Sequence, residues 1–397
     1  MGLNDTPSAD RIHIGFFGRR NAGKSSLVNA FTGQDLAVVS DTRGTTTDPV
    51  SKSMELLPLG PVMIIDTPGF DDVGSLGELR VKRTRQVLNR VDVAVLVVDA
   101  VEGLCPCDRE LIGMFKARDI PYIIAWNKCD LLGQIPKHGE NEIYVSALKK
   151  ENIHELKELT GHLGKTAEDK FMLCADLLHP SDLAVLVIPI DKAAPKGRLI
   201  LPQQQVIRDV LEADAAAVCV KEHELRDLLM SLAKPPALVI TDSQVFAKVS
   251  ADVPEEIPLT SFSILMARKK GLLDSAVRGA YALEDLKDGD TVLIAEGCTH
   301  HRQCDDIGTV KLPRWMKQYT GKKLRFESVS GKDFPEDLSR YSLILHCGGC
   351  MVNEREMRYR IKCAADAGVP ITNYGTFIAY IQGILKRSIA MFPHLDV

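Results

Sequence analysis

The chain has 397 residues, of which 45% are hydrophobic and 26% charged, with a formal net charge of −4 and a pI of about 6.2. This length predicts two or three domains, and the composition is that of a soluble globular protein. Its acidic balance argues against a nucleic-acid partner, because phosphate binding needs clustered Lys and Arg. No run approaches the roughly 18 apolar residues of a membrane span and the N-terminus lacks a secretory signal, so we predict a cytoplasmic protein with no membrane partner.

Strand-length apolar runs alternate with helical stretches from the start of the chain. The runs of the first part are IHIGFFG, VMIID, DVAVLVVD, PYIIAWN and EIYVSA. Continuous apolar strands separated by helices predict a parallel sheet covered on both faces. The polar segment GKTAEDK ends this unit, and two further series of strands and helices follow it.

A phosphate-binding loop follows the first predicted strand. Gly18 to Ser25 fits the pattern G-x-x-x-x-G-K-[ST], and the helical stretch SLVNAF comes next. In such a loop, backbone N–H groups face the phosphates, Lys24 reaches the β and γ oxygens, and the hydroxyl of Ser25 ligates Mg²⁺. Gly23 and Ser26 complete the predicted nucleotide-binding loop.

Two further motifs predict the surroundings of Mg²⁺ and the γ-phosphate. RGTTTD supplies a threonine for the loop that covers them; we predict Thr46, although Thr45 and Thr47 stand beside it. DTPG follows the strand VMIID, so Asp66 can hold Mg²⁺ through water and the N–H of Gly69 can meet the γ-phosphate.

The motif NKCD after the strand YIIAWN predicts the base that is bound. Asp130 can accept both N1–H and N2–H of guanine, which adenine cannot supply, so the site should select GTP. Asn127 and Lys128 belong to the same motif, and Ser146 and Ala147 of the sequence SAL would close over the base. The chain is thus predicted to be a GTPase that produces GDP and phosphate. Its predicted catalytic residues are Lys24, Ser25, Thr46, Asp66 and Gly69.

These motifs resemble those of the translation-factor-like GTPases, and most closely the TrmE-like tRNA-modification GTPases. Phe70 follows DTPG, and an apolar side chain cannot orient water, so intrinsic hydrolysis should be slow or need another element. In the TrmE-like group, the residue at the position of Asn21 helps to bind K⁺. The resemblance implies a potassium ion near Asn21, supplying the positive charge that an arginine finger gives elsewhere.

Cysteine and histidine residues follow two strands of the last part. GCTHHRQC comes after TVLIAE, and HCGGC comes at the end of SLILH. Because carboxyl ends of parallel strands form one rim of a sheet, Cys298, His300, Cys347 and Cys350 could converge. Such ligands fit Zn²⁺ or an iron–sulfur cluster. The two glycines of HCGGC favour a cluster, because their N–H groups can donate to sulfides, and a structural zinc site is the alternative.

The GTPase motifs are followed by C-x-H, a long insert and H-C-x-x-C. Over the full chain, this pattern resembles the HydF family of [FeFe]-hydrogenase maturation GTPases. This resemblance implies a [4Fe–4S] cluster on Cys298, Cys347 and Cys350, with an exchangeable fourth position for which His300 and His346 are the candidates. It also implies a homodimer that receives a two-iron precursor cluster from radical-SAM maturases and delivers it to the apo-hydrogenase.

The predicted fold class is therefore α/β: a P-loop GTPase domain followed by two smaller α/β domains with largely parallel sheets. The expected domains are the GTPase domain at 1–165, a dimerisation domain at 166–260 and a cluster-binding domain at 261–397. The alternative is a TrmE- or Era-like GTPase switch in RNA metabolism with a zinc-stabilised tail. The tail has neither a KH-type G-x-x-G in basic surroundings nor an aromatic stacking platform, which disfavours it. The sequence CPC at 105–107 is predicted to be a loop rather than a redox or metal site.

Overall fold

The structure, a computed structural model, describes residues 6–33, 49–70, 75–165, 172–190, 199–297, 306–331 and 333–395, with backbone alone at 75–80, 82 and 165. The chain divides into two compact units, Met1–Asp169 and Lys170–Val397. None of the described helices is long and apolar enough to cross a bilayer. Among the predicted site residues, Thr46, Cys298 and His300 lie outside the described ranges.

The first unit is built on a six-stranded sheet. Its strands are β1 (Ile12–Phe17), β2 (Val50–Leu56), β3 (Gly60–Asp66), β4 (Val93–Asp99), β5 (Tyr122–Asn127) and β6 (Glu142–Tyr144). Their order is β2-β3-β1-β4-β5-β6, and every pairing is parallel except that of β2 with β3. All seven residues of β4 are buried, as expected for a central strand covered on both faces.

Helices cover both faces of this sheet. They are α1 (Lys24–Thr32), α2 (Ser75–Leu88), α3 (Pro106–Ala117) and α4 (Ile153–Lys165). One apolar core contains Phe16, Phe31 and Leu156, and a separate core contains Phe17, Phe70 and Phe115. Because Phe16 and Phe17 are neighbours in β1 with opposite side-chain directions, the two cores lie on opposite faces of the sheet.

The second unit contains two four-stranded sheets, and the first of them is entirely parallel. Its strands are β7 (Leu183–Val187), β8 (Ala216–Val220), β9 (Leu238–Thr241) and β10 (Leu259–Ser261), in the order β10-β9-β7-β8. The helices that follow these strands in sequence are α5 (Leu201–Glu212), α6 (Leu225–Ser231), α7 (Phe246–Asp252) and α8 (Phe262–Lys269).

The other sheet of this unit is also parallel throughout. Its strands are β11 (Thr291–Glu296), β12 (Arg325–Ser330), β13 (Leu343–His346) and β14 (Ile371–Asn373), in the order β12-β11-β13-β14. The remaining helices are α9 (Leu273–Tyr281), α10 (Leu312–Thr320), α11 (Glu354–Asp366), α12 (Tyr374–Ile381) and α13 (Leu385–Ile389).

The predicted fold class is confirmed: a P-loop GTPase domain precedes smaller α/β parts with parallel sheets. α8 and α9 are separate helices. α8 ends at Lys269, and Gly271 has a φ of 68°, a left-handed conformation that stops a helix. The border expected at residue 260 stays a prediction.

Candidate functional site

The phosphate loop between β1 and α1 is tied to the guanine motif by one side chain. The amide nitrogen of Asn127 donates to the carbonyl of Ala22 at 2.9 Å, and its amide oxygen accepts from the N–H of Ala147 at 3.0 Å. Gly23 has a φ of 85°, and a Cβ there would lie 2.2 Å from Asn127 Nδ2. The loop therefore needs glycine at this position. Three separate segments of the GTPase sequence meet at Asn127.

The predicted Mg²⁺ ligands lie together at the start of α1. Ser25 Oγ donates to Asp66 Oδ2 at 2.8 Å, and the buried Lys24 donates through Nζ to the carbonyl of Arg19 at 3.1 Å. Burial raises the pKa of Asp66. The charge of Lys24 and the hydrogen bond from Ser25 oppose this shift without reversing it. Its Oδ1 atom is buried and has no hydrogen-bond partner among the described residues. An orphaned carboxylate oxygen beside a serine hydroxyl fits a hard cation such as Mg²⁺.

The DTPG segment is attached to β1 on one side of Gly69 and to the phosphate loop on the other. Thr67 Oγ1 donates to the carbonyl of Phe16 at 2.7 Å, and the N–H of Phe70 donates to the carbonyl of Gly18 at 3.4 Å. The ring of Phe70 is buried in an apolar core. This position agrees with the expectation that Phe70 does not orient a water molecule.

The guanine motif begins where β5 ends. Lys128 has a φ of 67°, and its Nζ lies 2.6 Å from Oδ2 of Asp99 at the end of β4. Burial would raise the pKa of Asp99, but the hydrogen bonds from Lys128 and from the backbone hold it below its ordinary value. Asp130 follows and is half-buried. Sequence reasoning missed Asp99, whose only signal was its place at a strand end.

Ser146 and Asn21, both predicted to belong to the nucleotide site, differ in their exposure to solvent. Ser146 is fully buried, and its Oγ accepts from the N–H of Lys149 at 3.1 Å, so it orders the loop that carries Ala147. Asn21 is exposed and has a φ of 64°, a left-handed conformation that asparagine tolerates better than most residues.

The cysteine region lies at the carboxyl ends of β11 and β13, which are neighbouring strands. Ala295 pairs with His346, and the N–H of Gly297 donates to Cys347 Sγ at 3.0 Å. Gly297 is the last described residue before Cys298. The chain that leads into the first predicted cysteine therefore touches the sulfur of the second.

Two backbone N–H groups face the sulfur of Cys347. Besides Gly297, the N–H of Gly349 lies 3.4 Å from its Sγ. Burial raises the pKa of the Cys347 thiol, whereas the two N–H donors and the charge of Arg360 favour the thiolate. Cys350 is half-buried and stands three residues before Asn353, whose side chain caps α11 by accepting from the N–H of Glu356 at 3.0 Å.

The ring of His346 is completely buried and engaged at both nitrogens. Arg360 Nη1 lies 3.0 Å from His346 Nε2, and His346 Nδ1 lies 2.8 Å from the carbonyl of Cys347. Arg360 can only donate, so Nε2 accepts and the Nδ1–H donates. Arg360 itself is buried, and its Nη2 contacts Glu356 Oε1 at 2.5 Å. Sequence reasoning missed Arg360, which stands on a helical face that carried no motif.

Family models match three successive parts of the chain. Residues 13–128 match the model described as "50S ribosome-binding GTPase". Residues 173–271 match the "Hydrogen maturase F dimerization domain", and residues 274–391 match the "Hydrogen maturase F tetramerization domain". The two hydrogen maturase F models together cover more than half of the chain, and their descriptions indicate self-association.

Curated relatives match the GTPase part. The tRNA modification GTPase MnmE of Chromobacterium violaceum is 32% identical over 179 residues, 44% of this chain and 39% of that protein. The GTPase Der of Wolinella succinogenes is 34% identical over 144 residues, 36% of this chain and 30% of that protein. The chain thus spans less than two fifths of the length of these relatives.

Among solved structures, a probable GTP-binding protein engB is 26% identical, with 39% of this chain and 99% of that chain covered, at a TM-score of 0.31. The GTPase motifs, their geometry and the two successive maturase models lead to one conclusion. The chain belongs to the hydrogen maturase F family, and its first domain is a P-loop GTPase similar to that of tRNA modification GTPases.

Proposed function

We propose that this chain is a GTP-hydrolysing scaffold in [FeFe]-hydrogenase maturation. It receives a two-iron precursor cluster from radical-SAM maturases and delivers it to the apo-hydrogenase, working as a homodimer. The 3.0 Å contact between the N–H of Gly297 and Cys347 Sγ is the observation that carries the proposal. It supports a single metal centre formed by segments almost fifty residues apart in sequence.

Cys298, Cys347 and Cys350 would hold a [4Fe–4S] cluster, which when bound supplies one iron with an exchangeable ligand. The N–H groups around Cys347 fit this role, because hydrogen bonds to a thiolate sulfur stabilise its negative charge. The amino end of α11 begins shortly after Cys350 and adds a favourable partial positive charge for an anionic group.

For the fourth iron position we propose His300 rather than His346. Both nitrogens of His346 already make hydrogen bonds, and a lone pair on Nε2 would reach a metal only after the bond to Arg360 broke. His346 then acts as a positioning residue that holds the carbonyl of Cys347 and orients the buried Arg360.

In the GTPase domain, Lys24 would contact the β and γ oxygens, and Ser25, Thr46 and Asp66 would hold Mg²⁺. The N–H of Gly69 would meet the γ-phosphate. K⁺ near Asn21 would supply further positive charge in the transition state.

The remaining nucleotide contacts are assigned to backbone and base recognition. Asp130 would read guanine, as no adenine ring offers the same two donors. The supporting residues of the nucleotide site are Gly18, Gly23, Ser26, Asn127, Lys128, Ser146 and Ala147.

The decisive experiment reconstitutes the full chain with iron and sulfide under anaerobic conditions and measures iron content, absorption and activation of apo-hydrogenase. Cys347→Ser should lose the sulfur-to-iron absorption and hydrogenase activation while keeping GTP hydrolysis. Cys219→Ser, which changes an exposed cysteine on β8, should keep all three.

A reciprocal variant tests whether the two sites are separable. Lys24→Ala should abolish hydrolysis and leave the iron content unchanged, since each site lies within its own compact unit. Full iron content in Cys347→Ser would refute the ligand assignment, and zinc in place of iron, with no hydrogenase activation, would favour the RNA-metabolism alternative.

A further inference from the structure

Two cysteines and an aspartate, side chains of the types that can ligate metals, lie together in the GTPase domain at the start of α3. Cys105 Sγ is 2.7 Å from Cys107 Sγ and 3.0 Å from Asp108 Oδ2. One ligand atom from each of the three residues lies within 4.8 Å of the others. This part of the sequence was expected to be a loop. Instead, Cys105 caps the helix, and Pro106 holds its first position.

The helix start explains why these residues meet. Proline is well suited to the first helical position because its φ is fixed and its missing N–H is not needed there. Cys107 and Asp108 then lie in the first turn. The Asp108 side chain points back to Cys105, and its Oδ2 accepts a hydrogen bond from the N–H of Cys105 at 3.1 Å. Cys105 and Cys107 remain half-buried, within reach of solvent.

The carboxylate of Asp108 supplies an independent sign of a missing partner. Its side chain has no exposed surface, and Oδ1 has no hydrogen-bond partner within the described parts of the chain. A buried carboxylate oxygen without a partner is unfavourable, because it loses its water without compensation. A cation bound at Oδ2 and the two sulfurs would neutralise the carboxylate and so lower the cost of burying Oδ1.

We propose that Cys105, Cys107 and Asp108 bind one thiophilic divalent metal ion of the Zn²⁺ or Fe²⁺ class. Thiolates select such ions, whereas Mg²⁺ takes oxygen ligands. Each thiol gives its proton to solvent when its sulfur binds the ion. Two thiolates on one tetrahedral ion lie about 3.8 Å apart, so the sulfurs separate by about 1 Å on binding. With three protein ligands, the fourth position is left for water or an incoming ligand.

The site is connected to the nucleotide site by a short segment. Asp99, which pairs with Lys128 of the guanine motif, accepts at Oδ1 from the N–H of Val101 at 2.9 Å. Glu102, three residues before Cys105, forms an ion pair with Arg19 of the phosphate loop. An ion at Cys105 would therefore hold one end of a segment whose other end contacts both nucleotide motifs.

Co²⁺ provides the test, because its thiolate complexes absorb in the near ultraviolet and the ion stands in for Zn²⁺. The full chain is used under anaerobic, reducing conditions with Cys298→Ala, Cys347→Ala and Cys350→Ala, so that the proposed cluster ligands do not contribute. We expect one Co²⁺ per chain with sulfur-to-cobalt absorption. Excess Zn²⁺ should displace it and excess Mg²⁺ should not.

Cys107→Ser and Cys105→Ser are each introduced into this parent chain. Each should weaken Co²⁺ binding at least about tenfold, because changes to residues around a metal typically lower its affinity by that factor or more. Cys219→Ser should leave binding unchanged. GDP binding by each variant shows that its GTPase domain is folded. Absence of cobalt–sulfur absorption in the parent, or full affinity in both folded serine variants, would overturn the proposal.

Discussion

Arg360 Nη1 lies 3.0 Å from Nε2 of His346, and both side chains are buried. The pair leaves the histidine with no free lone pair, so we expect it not to ligate iron. His346→Gln should preserve the proposed cluster, because the glutamine oxygen can accept from Arg360 and its NH₂ group can donate to the Cys347 carbonyl. Pulsed EPR of the reduced cluster measures the coupling between the electron spin and a ligand nitrogen.

The matched variant is His300→Gln, which should remove that nitrogen coupling if His300 is the exchangeable ligand. Loss of the coupling in His346→Gln, with retention in His300→Gln, would reverse the assignment. His346→Ala, unlike His346→Gln, should lower the iron content. It removes both hydrogen bonds of the ring and leaves the buried guanidinium of Arg360 without its partner on that side.

The position of Asn127 between Ala22 and Ala147 predicts a large effect on nucleotide affinity. Asn127→Ala removes two hydrogen bonds, each contributing about 1 kcal/mol, so GDP should bind at least about tenfold more weakly. Fluorescence titration with a labelled GDP measures this change. Asn141→Ala, at an exposed position, is the control; equal affinities in the two variants would show that the Asn127 contacts do not support the site.

Potassium dependence can be tested without straining the backbone. Asn21 has a positive φ, so Asn21→Gly removes the amide while glycine readily adopts the same conformation. Replacing Na⁺ with K⁺ should raise GTP turnover of the unaltered chain at least about tenfold, less than the factor of about 10³–10⁵ supplied by an arginine finger. Asn21→Gly should lose most of the difference. Equal rates in the two salts for the unaltered chain would exclude the potassium role.

The second unit should lose stability in acid through Asp176. Arg268 Nη1 donates to Asp176 Oδ1 at 2.7 Å, and the second guanidinium nitrogen pairs with the other oxygen. The hydrogen bond from Arg268 lowers the pKa of Asp176 against the opposing effect of burial. The ion pair therefore stabilises the folded unit fully at pH values above about 4, the pKa of Asp176 in the unfolded chain. This stabilisation is lost as the pH falls through the lower pKa that Asp176 has in the folded chain.

Asp176→Asn should accordingly lower the free energy of unfolding by at most about 1 kcal/mol near neutral pH, since solvent screens a carboxylate that is 38% exposed. The difference should shrink below about pH 4. Urea unfolding, followed by Trp315 fluorescence in a Trp126→Phe background, measures it. Asp227→Asn, on the exposed side of α6, is the control, and a loss from Asp176→Asn that does not vary with pH would contradict the charge-based account.

Strands buried on both faces were the most readable elements of the sequence. The run at Val93–Asp99 is apolar on consecutive residues, and that pattern alone predicts a central parallel strand. β2 was missed because Leu56 is the only buried residue of Val50–Leu56, and the strand runs antiparallel at the sheet edge. Its pairing with β3 depends on a partner that local composition does not specify.

The residues of the candidate sites also differ in how well the sequence predicts their contacts. Gly23, Lys24 and Ser25 follow from a local motif, since the loop itself brings them together. The pairs Lys128–Asp99 and His346–Arg360 join separate elements, and only the packing of strand against strand, or helix against strand, determines them. The topology of parallel sheets places the ends of β11 and β13 side by side, so that Gly297 contacts Cys347, and the convergence of Cys298 with Cys347 and Cys350 stays a prediction.

The sulfur of Cys347 faces two backbone amides, those of Gly297 and Gly349. Ordering a backbone segment costs conformational entropy, and the sheet meets this cost for Gly297, because Gly297 directly follows β11, the neighbour of β13. Binding of a metal group at this sulfur would therefore require no further ordering of the Gly297 backbone.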